Sequence, residues 1–128
     1  MKALFAGICL FFSAFFSCQQ KGGEFQTVSA DKFAELIADP EVQRLDVRTL
    51  AEYSEGHISG SININVLDRD FESVADSVLR KDRPVALYCR SGKRSAKAAA
   101  VLGSKGYEVY NLDGGIMGWK EAGKGIEK

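Results

Sequence analysis

Pro84-Val85-Ala86-Leu87-Tyr88-Cys89-Arg90-Ser91-Gly92-Lys93-Arg94-Ser95 is the stretch of this 128-residue chain whose reading decides the fold. Pro84 to Tyr88 is short, apolar, partly β-branched and opened by proline, which reads as a buried strand. Cys89 to Ser95 reads as a tight loop. Beyond it, Ala96 to Lys105 is rich in helix formers and meets Gly106, a C-cap residue. Strand, loop and helix start follow in that order, with a cysteine at the strand's end aimed at the mouth of the loop.

Such a loop favours a reactive thiol. Several of its backbone N–H groups can turn inward, and the helix adds its positive end. Arg90, Lys93 and Arg94 stand close by in sequence. These surroundings stabilise a thiolate and can lower a cysteine pKa from about 8.5 to roughly 3.5–7.5. The thiolate is the nucleophile, and the same loop suits an anionic substrate. The competing reading is a structural cysteine buried at a strand end. Three cations, Ser91, Gly92 and a helix start beside Cys89 favour chemistry over packing.

The loop resembles the active-site loop of a rhodanese, a sulfurtransferase domain. Three more segments share the resemblance: Leu45-Asp46-Val47-Arg48; Glu52 through Gly56-His57-Ile58-Ser59-Gly60-Ser61-Ile62-Asn63-Ile64; and Tyr107 through Gly118-Trp119, centred on Asn111-Leu112-Asp113-Gly114-Gly115. Together they run from about Thr27 to Gly123. The resemblance implies an α/β domain with about five parallel strands and helices on both faces of the sheet. It implies sulfur transfer through Cys89, with Arg90, Ser91, Gly92, Lys93, Arg94 and Ser95 binding the substrate. It also implies that His57, the only histidine, belongs to a structural turn and not to a Cys–His dyad.

Outward from the loop, the chain has room for one domain with a modest core. Seventeen Lys and Arg balance seventeen Asp and Glu, which argues against a nucleic-acid binder. Residues 1–18 read as a signal peptide outside the fold: Lys2 is the positive start, and Ala3 to Phe16 is apolar except for Ser13. The run is short of the roughly 20 residues a membrane span needs. Cys18 after Ser17 resembles a bacterial lipoprotein signal, with Phe15 and Phe16 where that signal usually has a Leu-like residue and a small one. The expectation is export to the periplasm or cell envelope, with Cys18 lipidated and acyl chains holding the domain to a membrane surface. An uncleaved anchor and an ordinary signal with a free Cys18 are the other readings. Residues 19–26, polar with Gly22-Gly23, read as a flexible tether, and the domain occupies 27–128.

Within the domain, Thr27-Val28 reads as a brief strand. Ser29 reads as the N-cap of a helix from Ala30 to Ala38, with Phe33, Leu36 and Ile37 on one face. Strands are expected at Val42 to Val47, Ser61 to Asn65 and Glu108 to Leu112. Short helices are expected at Thr49 to Glu55 and at Ile116 to Ala122, stopped by Gly123. Asp68 opens another helix, with a stripe of Phe71, Val74, Ala75 and Val78. Alternating strands and helices imply a parallel sheet covered on both faces. Ligands bind at the C-terminal ends of such strands, and Cys89 lies at one. Asp46 and Arg48, at another strand end, either line the pocket or brace its loops through an ion pair; bracing fits better. Trp119 reads as a helix-docking core residue and Gly114-Gly115 as a turn needing positive φ. No metal-ligand spacing is present, and no cofactor is implied.

The cysteines narrow the mechanism. Cleavage before Cys18 removes Cys9, and lipidation of Cys18 leaves Cys89 as the only free thiol. With no resolving cysteine, an internal disulfide cycle is disfavoured. The reading is ping-pong sulfur transfer from a small anionic donor such as thiosulfate to a thiol or cyanide. Two alternatives remain. One is a membrane-tethered persulfide carrier or interaction module. The other is a cysteine phosphatase or arsenate reductase, whose loops carry one residue more between Cys and Arg than Cys89 and Arg94 allow here.

Overall fold

The computed structural model describes residues 23–128. The signal peptide, Cys9, Cys18 and residues 19–22 of the tether lie outside the described residues.

Five strands form one sheet: β1 (Gln26–Val28), β2 (Gln43–Asp46), β3 (Ile62–Asn63), β4 (Val85–Tyr88) and β5 (Val109–Leu112). Their order is β1-β5-β4-β2-β3, and every neighbouring pair is parallel. Five helices connect them: α1 (Ala30–Ile37), α2 (Leu50–Glu55), α3 (Phe71–Val78), α4 (Lys93–Ser104) and α5 (Gly115–Glu121). The α/β architecture follows the expectation.

β4 is central and wholly buried. Its alternation divides the core. Val85, Leu87 and Cys89 face a cluster with Phe71 and Ala75 of α3 and Ala98, Ala99 and Leu102 of α4. Ala86 and Tyr88 face the other cluster, with Phe33 and Ile37 of α1 and Ile116 and Trp119 of α5. A period of two therefore decides which side of the sheet receives the thiol. Phe33 meets Tyr88 and Trp119 edge-on, at centroid distances of 6.3 and 5.8 Å. Trp119 docks α5, as its sequence position suggested.

Local signals account for the helix starts. Ser29 accepts the Lys32 N–H at 3.1 Å and caps α1. Thr49 and Glu52 form a reciprocal capping box at α2. The boundaries differ from expectation by more than one residue at three places. α4 begins at Lys93 and not at Ala96, because Gly92, with φ of 108°, turns the chain straight into the helix. Lys93, Arg94 and Ser95 are thus the first helical turn and not loop. β3 is only Ile62–Asn63, since the Asn63 amide donates to the carbonyls of Asp46 and Arg48 beside the ladder. α3 starts at Phe71, after a turn in which Asn65 accepts the Leu67 N–H. In its stripe Phe71 and Ala75 are buried, but Val78 is 44% exposed.

A buried polar knot joins β4 to the segment before β3. The Tyr88 hydroxyl accepts the Ile58 N–H at 3.0 Å and lies 2.8 Å from Ser61 Oγ, which in turn donates to the Ile58 carbonyl. Burial holds the Tyr88 phenol well above its ordinary pKa, with the Asp46 charge adding to the effect. It remains a neutral donor and acceptor. Tyr88→Phe strands the Ile58 N–H, and a buried unpaired group costs about 1–3 kcal/mol. We expect urea unfolding of that variant to show a lower midpoint at an unchanged slope.

Candidate active site

Cys89 follows β4 directly, and its side chain lies under the loop that Gly92 closes. The Gly92 N–H donates to Cys89 Sγ at 3.0 Å. Burial pushes the thiol pKa up. The Ser95 hydroxyl and the N–H groups of Ser95, Gly92 and Ser91 outweigh it and hold the thiol below its ordinary value. Ser95 Oγ is fully buried and completes no hydrogen bond to any protein group. It therefore acts on the sulfur as an adjacent dipole and not as a formed bond. Cys89 is 1% exposed, so the thiol sits deeper than a side chain aimed at the loop mouth. It belongs to the buried cluster that also contains Val47, Ala98 and Ala99, while its polar partners reach it from the loop.

The orientation of those amides comes from α5. Ile116 N–H donates to the Cys89 carbonyl at 2.9 Å, and Met117 N–H to the Arg90 carbonyl at 3.1 Å. A trans peptide points its N–H opposite to its C=O. Drawing the Arg90 carbonyl outward to Met117 therefore turns the Ser91 N–H inward. This approach needs Gly115, with φ of 60°. A Cβ there would collide with the Arg90 carbonyl and lie 2.7 Å from the Cys89 oxygen.

The three loop cations are not equivalent. Arg94 makes a two-pronged pair with Glu52, Nη1 to Oε1 and Nη2 to Oε2, both 2.9 Å. Lys93 is exposed, and Arg90 is exposed with its Nε on Met117 Sδ at 3.4 Å. Charge at the loop is thus partly cancelled, and amide dipoles carry most of the stabilisation of the sulfur. Arg94 hydrogen-bonds Glu52 and, with Thr49, holds its carboxyl at about 2, well below 4.5, against the opposing effect of burial. Glu52 was visible in the sequence as the fourth residue of Thr49-x-x-Glu52, but its grip on Arg94 spans two strand ends and carries no local signal.

Asp46 and Arg48 brace the site. Asp46 accepts the Arg48 backbone N–H at 3.0 Å and its Nη2 at 2.7 Å, and Arg48 Nη2 also reaches the Gly56 carbonyl at 2.7 Å. Arg48 also lines the cleft described below. His57 stacks on Tyr53 and pairs its backbone with Glu127 in an isolated bridge. Its ring nitrogens meet the Tyr53 carbonyl and the Glu127 carboxylate. Tyr53 lies four residues back in α2, and Glu127 comes from the C-terminal segment.

A cleft of about 310 Å³ opens beside the loop, lined by Arg48, Glu52, Glu55, Arg90, Met117 and Lys120 with Gly56 and Ile116. A larger one, about 850 Å³, lies at the other end of the sheet, by the first residues of β1 and β5 and Gly103. The smaller cleft is the one that borders the Cys89 loop, through Arg90 and through the Ile116 and Met117 that hydrogen-bond the loop, while Cys89 itself lies beneath its lining. Among the described residues no cluster of three metal-ligating side chains occurs, and no helix is long and apolar enough to cross a membrane.

Among the described residues the one cysteine is buried at the C-terminal end of the central parallel strand of an α/β domain, with the Gly92 N–H on its sulfur. The chain belongs to the rhodanese-like domain family, whose model matches residues 29–122. It is 38% identical over 98 residues to a sulfurtransferase of Allochromatium vinosum, covering 75% of this chain and 89% of that protein. It is 34% identical over 100 residues to the thiosulfate sulfurtransferase GlpE of Shewanella oneidensis, covering 77% and 95%. A rhodanese-related protein of Thermoplasma volcanium superposes with a TM-score of 0.72 at 30% identity, covering 80% of this chain and 98% of that one.

The depressed Glu52 value carries a pH signature. Its contribution is full above pH 4.5 and is lost as pH falls toward about 2. The pair is partly exposed, so the expected contribution is ~1 kcal/mol. Glu52→Gln keeps the capping-box geometry, and unfolding midpoints measured across that window should show a flatter acid limb than the parent.

Proposed function

We propose that this chain is a sulfurtransferase working through a persulfide on Cys89. The observation that carries the reading is the ring of inward N–H groups, with Gly92 N–H 3.0 Å from the sulfur, around the only cysteine of the described residues. The relatives named as sulfurtransferases support it.

With thiosulfate as donor, the Cys89 thiolate attacks the outer sulfur. A Cys89 S–S bond forms, the donor's S–S bond breaks, and sulfite leaves with the electron pair. The amides of Ser91 and Gly92 and the Ser95 hydroxyl bear on the sulfur as it changes charge. An acceptor nucleophile, cyanide or a thiolate, then attacks the terminal sulfur, and the Cys89 thiolate leaves with the bonding pair. Thiocyanate or a new persulfide departs. No cofactor takes part. Arg90 and Lys93 remain unpaired cations at the loop, able to attract an anion. Arg94 acts through Glu52, fixing the first turn of α4.

The test is intact mass of the full chain before and after donor. A gain of about 32 Da, one sulfur, is expected at Cys89 and should be removed by a thiol. Cys89→Ser should show no gain and lose thiocyanate release from thiosulfate and cyanide. Absence of any gain with thiosulfate, polysulfide or a small persulfide would overturn the proposal in favour of an interaction module. Hydrolysis of a small aryl phosphate in place of thiocyanate release would favour the phosphatase reading.

The tether belongs to the same proposal. Lys2, the apolar run to Phe16 and Ser17-Cys18 support export and lipid attachment at Cys18, placing the domain at a membrane surface. Expressed in bacteria, the parent chain should fractionate with membranes, and Cys18→Ser should move most of it to the soluble fraction.

A further inference from the structure

The cleft beside the loop has charges left over. Arg48 is taken by Asp46, and Arg94 and Glu52 take each other. Among the described residues, three charged side chains lining or closing the cleft have no ion-pair partner: Glu55 at the end of α2, Lys120 in the last turn of α5, and Arg90 of the loop. One wall thus offers a free carboxylate, and the others offer two free cations. A volume of about 310 Å³ is far more than thiosulfate needs, and a bare dianion would leave Glu55 both unmatched and repulsive.

We propose that this cleft selects a sulfur carrier or acceptor of amino-acid character: a small thiol or persulfide bearing an ammonium and a carboxylate. Glu55 takes the ammonium, Lys120 and Arg90 take the carboxylate, and the sulfur is directed at the loop over Cys89, which the cleft borders through Arg90. The inference rests on the persulfide reading and names the substrate class of that same site. Glu55 and Lys120 are specificity-determining residues. Both are exposed, so each contact is expected to alter affinity about 2–5-fold, acting on KM and not on kcat.

Four thiols separate the contributions. L-Cysteine carries both charges, cysteamine only the ammonium, 3-mercaptopropionate only the carboxylate, and 2-mercaptoethanol neither. With the full chain loaded as the Cys89 persulfide and rates expressed per thiolate, L-cysteine should show the lowest KM. Glu55→Gln should raise the KM of cysteamine relative to 2-mercaptoethanol about 2–5-fold. Lys120→Gln should do the same for 3-mercaptopropionate relative to 2-mercaptoethanol. Ratios that do not move in either variant would overturn the proposal while leaving sulfur transfer intact. Titration of the unloaded chain with S-methyl-L-cysteine, followed by amide chemical shifts, reads the cleft without any sulfur chemistry. Shifts at Glu55 and Lys120 that shrink in the two variants are expected even if no persulfide forms. No shift at those residues refutes the site independently of the reaction.

Discussion

Two hydrogen bonds from the first turn of α5 set the active-site loop: Ile116 N–H to the Cys89 carbonyl and Met117 N–H to the Arg90 carbonyl. They satisfy main-chain oxygens that would otherwise compete for the space around the sulfur. Peptide planarity then turns the following N–H inward. The nucleophile's environment thus depends on a helix more than twenty positions downstream in the chain, docked through Trp119 against Phe33 and admitted by a glycine at 115 that leaves no side chain in the way.

Dipoles and charges divide the work at this site. A buried thiol in apolar company would be less acidic than in water, and Cys89 is buried in the core cluster that holds Val47, Ala98 and Ala99. Short-range N–H groups reverse that effect without placing a full charge beside the sulfur. Of the two loop guanidinium groups, that of Arg94 is committed to Glu52. That pair ties the end of β2, through the capped α2, to the start of α4. It makes the wall of the cleft stiff and close to neutral. Unpaired charge remains only at the rim, where Arg90, Lys120 and Glu55 meet solvent and any incoming molecule.

The braces behind the cleft follow the same economy of partners. Asp46 holds both the backbone and the side chain of Arg48, and Arg48 holds the Gly56 carbonyl. Tyr88, on the face of β4 away from Cys89, ties the Ile58–Ser61 turn to the sheet centre. His57 is consumed in the same region by Tyr53 and by the bridge to Glu127. The polar residues of the second sequence block thus hold the turn together, and the thiol has no imidazole partner among them.

Periodicity, turn residues and caps made most of the architecture legible. The buried run Val85–Tyr88, Ser29 before Ala30, and glycines at 92 and 114 act within a few residues, so their consequences are readable locally. The strand-then-cysteine order placed Cys89 at a ligand-binding sheet end, and its loop N–H groups were expected because a turn before a helix presents them. Tertiary structure decided the rest: that the thiol is buried, that Arg94 answers to Glu52, and that Glu55 and Lys120 share a cleft with Arg90. Each of these depends on two or more segments far apart in sequence arriving at one point. Side-chain reach and helix docking set that meeting, and no pattern within a single segment encodes it.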